Sequence, residues 1–147
     1  MTVTAEERRF AETYRVARLA TADAGAAPHV VPICYALAGD CFYFVVDEKP
    51  KRSRLGLKRL RNLAANPKVA LLIDNYSDDW TRLAYLLVQG EGAVVIDADE
   101  YASTLAALRA RYPQYRSMPL AIATHPMVRI RPLHLHLWRA QAPALLR

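Results

Sequence analysis

No apolar run in these 147 residues approaches the roughly 18 needed to cross a bilayer, which excludes a helical membrane span. The opening MTVTAEERRF is charged and has no apolar core of the kind a secretory leader needs. The expectation is therefore a cytoplasmic protein. Cysteine is scarce: Cys34 and Cys41 are the only two, and no C-x-x-C spacing exists for a zinc or redox site. The pair flanks a predicted hairpin, so a disulfide is geometrically conceivable, but free, buried thiols in a reducing compartment are expected. No internal repeat and no low-complexity linker interrupts the chain. A single domain over 1–147, with a tail from about 140, is the simplest division.

Acids are absent from one place in particular. The stretch KPKRSRLGLKRLRNL, residues 49–63, holds seven Lys or Arg and no Asp or Glu. The whole chain carries +6, yet without this stretch 13 basic residues face 14 acidic ones. The positive charge is local. A nucleic-acid-coating surface spreads its charge over a wide face and interleaves aromatics with it, and neither pattern is present. A solvated helix face and a grip on a compact anion both remain open.

The rest of the chain reads as strands with a few helices. Thr4 and Glu7 have capping-box spacing and predict a helix over 5–16. Strands are predicted at 15–23, 28–37 and 40–47, the last two joined through Ala38-Gly39-Asp40. Pro28 and Pro32 each lack a ladder donor, which puts their strand near an edge or gives it a bulge. A helix capped by Ser53 is predicted to run to Ala65 and to stop before Asn66-Pro67. A buried strand follows at 68–76. After it comes a long strand over 81–96, with a bulge or close backbone approach at Gly90 and Gly92. A helix over 97–113 starts with acids and ends with arginines, matching its dipole. MVRIRP and LHLHLWRA read as two last strands. The order fits a mainly β, α+β protein: a small barrel of about six antiparallel strands with flanking helices.

On a helical projection of 57–65, Leu57, Leu60, Leu63 and Ala64 share an arc of about 120°. Lys58, Arg61 and Asn62 fall opposite, with Arg59 on the border. Arg54, Lys58 and Arg59 occupy the first turns, where the helix dipole disfavours cations by a few tenths of a kcal/mol each, roughly. A bound phosphate would relieve that conflict through free N–H groups and the basic side chains.

Three motifs in order carry a family resemblance: GAAPHVVPICYALAGDCFYF, LKRLRNLAANPKVALLID and DDWTRLAYLLVQGEGAVV. Together they resemble the pyridoxamine 5′-phosphate oxidase-like superfamily, whose fold is the FMN-binding split β-barrel. Within it they most resemble the flavin/deazaflavin oxidoreductases that use coenzyme F420. The resemblance implies a homodimer with cofactor grooves at the subunit interface, hydride transfer to a small-molecule acceptor, and no catalytic side chain. From the local charge and the lack of a long apolar run, no nucleic-acid or membrane partner is expected. By position, Arg59 matches the phosphate-binding basic residue, with Lys58, Arg61 and Asn62 completing that end. Pro32, Ile33 and Tyr35 match positions beside the ring. Asp79 and Trp80 match turn residues that approach the cofactor, expected from the partner subunit. The connection before the helix is longer and more basic than usual, so Lys51, Arg52 and Arg54 are expected to favour the acidic tail of F420 over FMN. The C-terminal region lacks the Arg-x-His element of true vitamin B6 oxidases. A non-catalytic cofactor binder is the alternative of another class.

His134 and His136 share one strand face without a third ligand at metal spacing. His29 reads as a strand end, and Trp138 as core or interface.

Overall fold

Thr4 sets the first element by closing a reciprocal capping box with Glu7, and α1 (Ala5–Thr13) follows. The computed structural model describes residues 1–47 and 54–140, the side chains of 54–57 excepted. Helix α1 is shorter than the predicted 5–16 because its last carbonyls are taken by tertiary donors. Arg111 donates to Glu12 O at 2.9 Å and to Ala11 O at 3.1 Å, and the Tyr35 hydroxyl donates to Ala11 O and Tyr14 O.

The strands are β1 (Ala17–Ala22), β2 (Pro28–Ile33), β3 (Ala36–Ala38), β4 (Cys41–Val45), β5 (Lys68–Asn75), β6 (Ala84–Val94) and β7 (Met127–Arg139). The helices after α1 are α2 (Arg54–Ala65) and α3 (Ala98–Arg111). Ser53, the predicted cap of α2, lies outside the described residues. All seven strands form one antiparallel sheet in the order β2-β1-β5-β6-β7-β4-β3.

That order has a geometric consequence. β2 and β3 are the two outer edges, yet only Cys34 and Tyr35 separate them in the chain. The three backbone steps from Ile33 to Ala36 span no more than about 11 Å, so the sheet curls until its edges meet, as a split barrel does. The single strand predicted over 28–37 is thus two strands on opposite edges, broken at the seam. β2 does lie at an edge, where its prolines cost no ladder bonds.

One further expectation is corrected. The final pair of strands is one continuous strand, β7, because β6 is long enough to pair along all of it. The division of 28–37 adds a strand and this merger removes one, which leaves seven, close to the expected six. The expected irregularity at Gly90 is present, as a register shift between Gln89 and Gly90 against β7. A Cβ on Gly90 would sit 2.2 Å from the Arg131 carbonyl oxygen, so the strands approach there as only glycine permits. Gly39 turns the β3–β4 hairpin with φ of 58°, a conformation that favours glycine.

Alternation divides the core in two. Phe42 and Phe44 face the barrel interior with Leu19, Leu71, Ile73, Leu86 and Val88, under α1 and α2. Tyr43 and Val45, on the other face of β4, pack with Tyr101, Leu105 and Leu108 of α3. Helix α3 is thereby held against the outside of the seam, and the residues that follow it can reach the slot where the sheet edges meet. Among the described residues, no helix is long and apolar enough to cross a membrane.

Candidate functional site

The seam leaves backbone groups outside the ladder, and the residues after α3 supply their partners. Tyr35 N donates to the Tyr112 hydroxyl at 3.1 Å. That hydroxyl lies 2.6 Å from Arg15 O and also receives a bond from Arg111 Nε at 3.1 Å. Beside this knot runs a groove of about 290 Å³, lined by Val16, Pro32, Ile33, Cys34, Val45, Asp47, Arg59 and Tyr115. Four of these residues also wall an adjoining hollow of about 570 Å³, which extends past Tyr112, Pro113 and Met118.

Tyr115 anchors the shared wall. It is buried, and its hydroxyl donates to Asp47 Oδ2 at 2.9 Å. Burial, reinforced by the Asp47 charge, pushes its phenol far above the usual range. Burial likewise pushes the Cys34 thiol up, against a hydrogen bond from Tyr115 that pulls the other way. Both groups stay neutral near pH 7. Cys34 and Cys41 are free and half-buried.

Arg59 closes one end of the groove while only 9 % exposed. It comes from α2, whose orientation differs from the projection. Asn62 and Leu63 are buried and Leu60 is half-buried, whereas Ala64 is exposed. The inward face therefore runs through Arg59, Asn62 and Leu63. Asn62, expected on the outer side at the phosphate end, turns inward because the Thr21 hydroxyl on β1 accepts its amide at 3.1 Å. A buried amide with a partner costs little, so the polar residue sits where a projection based on hydrophobicity would not put it. Lys58 is half-buried and Arg61 exposed. Arg54 opens α2, but its side chain, like Lys51 and Arg52, lies outside the described residues.

The ring-side residues divide. Pro32 and Ile33 line the groove. Tyr35 does not: its side chain is 1 % exposed, tied to the end of α1 and covered by Arg111, whose guanidinium lies 4.9 Å from the ring centre. Burial pushes its phenol far up, and its ring packs in the barrel core. Asp79 and Trp80 sit in the β5–β6 turn, away from the lining of this groove. The Asp79 carboxylate accepts from Thr81 N and Oγ1, and Trp80 is 69 % exposed.

Sequence reasoning missed Asp47, Tyr112 and Tyr115. The Tyr-Pro-Gln-Tyr run after α3 was the available signal, since a helix followed at once by two tyrosines around a proline must bring them back onto the sheet. Among the described residues no group of three His, Cys, Asp or Glu could hold a metal ion. His134 and His136 are exposed on β7.

The curled antiparallel sheet with a helix-closed groove at its seam defines a split-barrel protein. The pyridoxamine 5′-phosphate oxidase family is matched over residues 3–139, and the chain belongs to that family. No curated protein matches the sequence. Among solved structures, the chain is similar to a conserved hypothetical protein from Mycobacterium tuberculosis. The TM-score is 0.75 at 20 % identity, over 95 % of this chain and 86 % of that one. It is also similar to the heme storage protein HutZ from Vibrio cholerae, with a TM-score of 0.71 at 17 % identity over 95 % of each chain. A FAD-binding protein from Mesorhizobium loti gives a TM-score of 0.66 at 24 % identity, over 92 % of this chain and 94 % of that one. At these identities the likeness concerns the fold.

Proposed function

We propose that this protein is an oxidoreductase that uses coenzyme F420, working as a homodimer with one groove in each subunit. The observation that carries the reading is Arg59, a largely buried cation at one end of a groove whose other walls include Pro32, Ile33, Cys34 and Tyr115, with the Asp47 carboxylate bonded to the Tyr115 hydroxyl. A cation held there by the fold suits a phosphate tail, and the apolar walls suit a flat ring. When bound, the reduced deazaflavin supplies a hydride to an acceptor. The chain's own residues position and shield: Arg59 and Lys58 hold the phosphate end, Pro32 and Ile33 flank the ring, and Val16 and Tyr115 exclude water. The adjoining hollow beside Tyr112 and Met118 leaves room for the acceptor. The basic run 49–54 supports F420 over FMN because it offers charge for an acidic tail.

FMN is the second reading, favoured by the structural likeness to a FAD-binding protein. Parallel fluorescence titrations with F420 and FMN separate the two. The expected result is tighter binding of F420 and turnover of its reduced form with an acceptor panel. Purification with stoichiometric bound FMN would reverse the order. Tight binding without turnover would make the protein a cofactor carrier.

The dimer reading is supported by the outer face of the sheet. Leu72, Leu87 and Tyr85 cluster there with Trp138, and Tyr85 stacks on Trp138 at 5.5 Å between ring centres. Such an apolar sheet face fits a second copy of the chain. A Leu87→Asp variant is expected to halve the mass measured in solution by light scattering; an unchanged mass would place the interface elsewhere.

A further inference from the structure

His29 occupies the inner row of β2, directly across from Thr21 of β1. Residues directly opposite in an antiparallel pair share a face, so His29 lies on the side that Asn62 of α2 reaches when it bonds Thr21. Lys58 and Arg59 stand one turn earlier on α2 and act on His29 electrostatically. The Nδ1 atom of His29 is shut off from solvent and has no hydrogen-bond partner among the described residues. Burial, then the charges of Lys58 and Arg59, hold the ring below its ordinary titration range. The acid in the adjoining β1–β2 turn is Asp23. Its carboxylate is exposed, lies within the field of Lys58, and accepts from Gly25 N and Ala27 N at 2.9 Å each.

A histidine placed against two cations, with a sealed ring nitrogen and no partner, is a local conflict that an anion would resolve. The inward turn of Asn62 leaves the phosphate end short of one expected donor, and His29 is a further polar group within the field of Lys58 and Arg59. Along β2 it is four residues from Ile33 in the groove wall, roughly 13 Å of extended strand, which leaves space for a chain linking ring and phosphate.

We propose that His29 completes an anion site with Lys58 and Arg59, taking up a proton as a phosphate group arrives. The inference rests on α2 being the helix that grips phosphate. It adds that the grip is regulated by pH. With the anion absent, two cations keep the ring neutral. With the anion present, the imidazolium gains a partner and the two cations are offset. Binding therefore draws in one proton between the titration point of the free protein and that of the complex. Affinity is low above that window and rises as pH falls through it, tenfold for each pH unit of window.

The test titrates the full chain with F420 and FMN at pH 8 and pH 5.5, in wild type and in His29→Gln. The ligand phosphate can itself titrate, so the comparison that counts is between the two proteins. Wild type is expected to gain roughly tenfold in affinity toward low pH beyond what His29→Gln gains. NMR of the histidine ring protons gives a second measurement, with the His29 resonance assigned by its loss in His29→Gln. Its titration is expected to move upward on addition of ligand. In Lys58→Met it is expected to move upward without ligand, because a facing cation has gone. Equal pH dependence in both proteins, or a His29 titration that ligand leaves in place, would overturn the proposal. If neither cofactor binds, the cofactor reading fails on its own, and inorganic phosphate then serves as the probe. A His29 resonance moved by phosphate supports the site, and one that stays fixed sinks it.

Discussion

The side-chain amide of Asn62 on α2 donates to the Thr21 hydroxyl on β1 across 3.1 Å, with both residues almost wholly removed from solvent. This bond sets the rotation of α2 about its axis and thereby aims Arg59 into the groove. Asn62→Ala is expected to cost about 1 to 3 kcal/mol, since it leaves a buried hydroxyl without its donor. Adding Thr21→Val to an Asn62→Leu variant is expected to recover part of the loss, because no polar group is then stranded. Urea unfolding of the single and double variants checks this. Strictly additive losses would mean that the two side chains do not depend on each other.

Arg59→Ala is expected to weaken the preferred cofactor by about 1.5 to 3 kcal/mol, the scale of a hydrogen bond to a charged group. Fluorescence titration of the purified variant measures it. Affinity equal to wild type would remove Arg59 from the phosphate site. Tyr35→Phe, by contrast, is expected to lower the melting temperature and leave cofactor affinity intact, because the Tyr35 hydroxyl is spent on the end of α1.

The two glycines of β6 are expected to respond differently to alanine. At Gly90 the added carbon meets the Arg131 carbonyl at 2.2 Å, and backbone cannot step aside without breaking the β6–β7 register. At Gly92 it meets Leu63 Cδ2 at 2.7 Å, the far end of a flexible side chain. Gly90→Ala is expected to cost about 1 to 3 kcal/mol, as overpacking does, and Gly92→Ala less. The reverse order in thermal unfolding would contradict the close approach at the bulge.

Four of the eight tyrosines, Tyr35, Tyr43, Tyr101 and Tyr115, have phenols raised above the ordinary value of 10.0, in each case chiefly by burial. Their folded-state titration lies above that of the unfolded chain. The stability linked to them is fully present below pH 10 and is lost as the pH rises further, because the unfolded state ionises first. Alkaline unfolding is expected to coincide with a cooperative rise in phenolate absorbance. Independent ionisation of all eight, with the secondary structure unchanged, would contradict this burial.

Much of the fold was legible locally. The Thr4–Glu7 box, the Gly39 hairpin, the edge position forced by Pro28 and Pro32, and the irregularity at Gly90 each depend on residues close in sequence. The interruption at Cys34–Tyr35 was not legible, because β-rich residues continue through it; the strand breaks only because its two halves must join opposite edges of a curled sheet. Of the groove lining, Arg59, Pro32 and Ile33 were named from the sequence, since the basic helix and the proline strand announce themselves. Asp47 and Tyr115 were not, as their hydrogen bond joins residues 68 apart and neither has a local signature.

The sequence alone determined the order of elements, the concentration of positive charge over 49–63, and the family, because propensity, patterning and motif spacing are carried by neighbouring residues. The tertiary structure decided which face of α2 turns inward, where the sheet edges meet, and which side chains share the groove. Those outcomes depend on burying polar groups only where a partner waits: Thr21 for Asn62, the end of α1 for Tyr35, and Asp47 for Tyr115. Such partners are brought together by packing, and no stretch of local sequence names them.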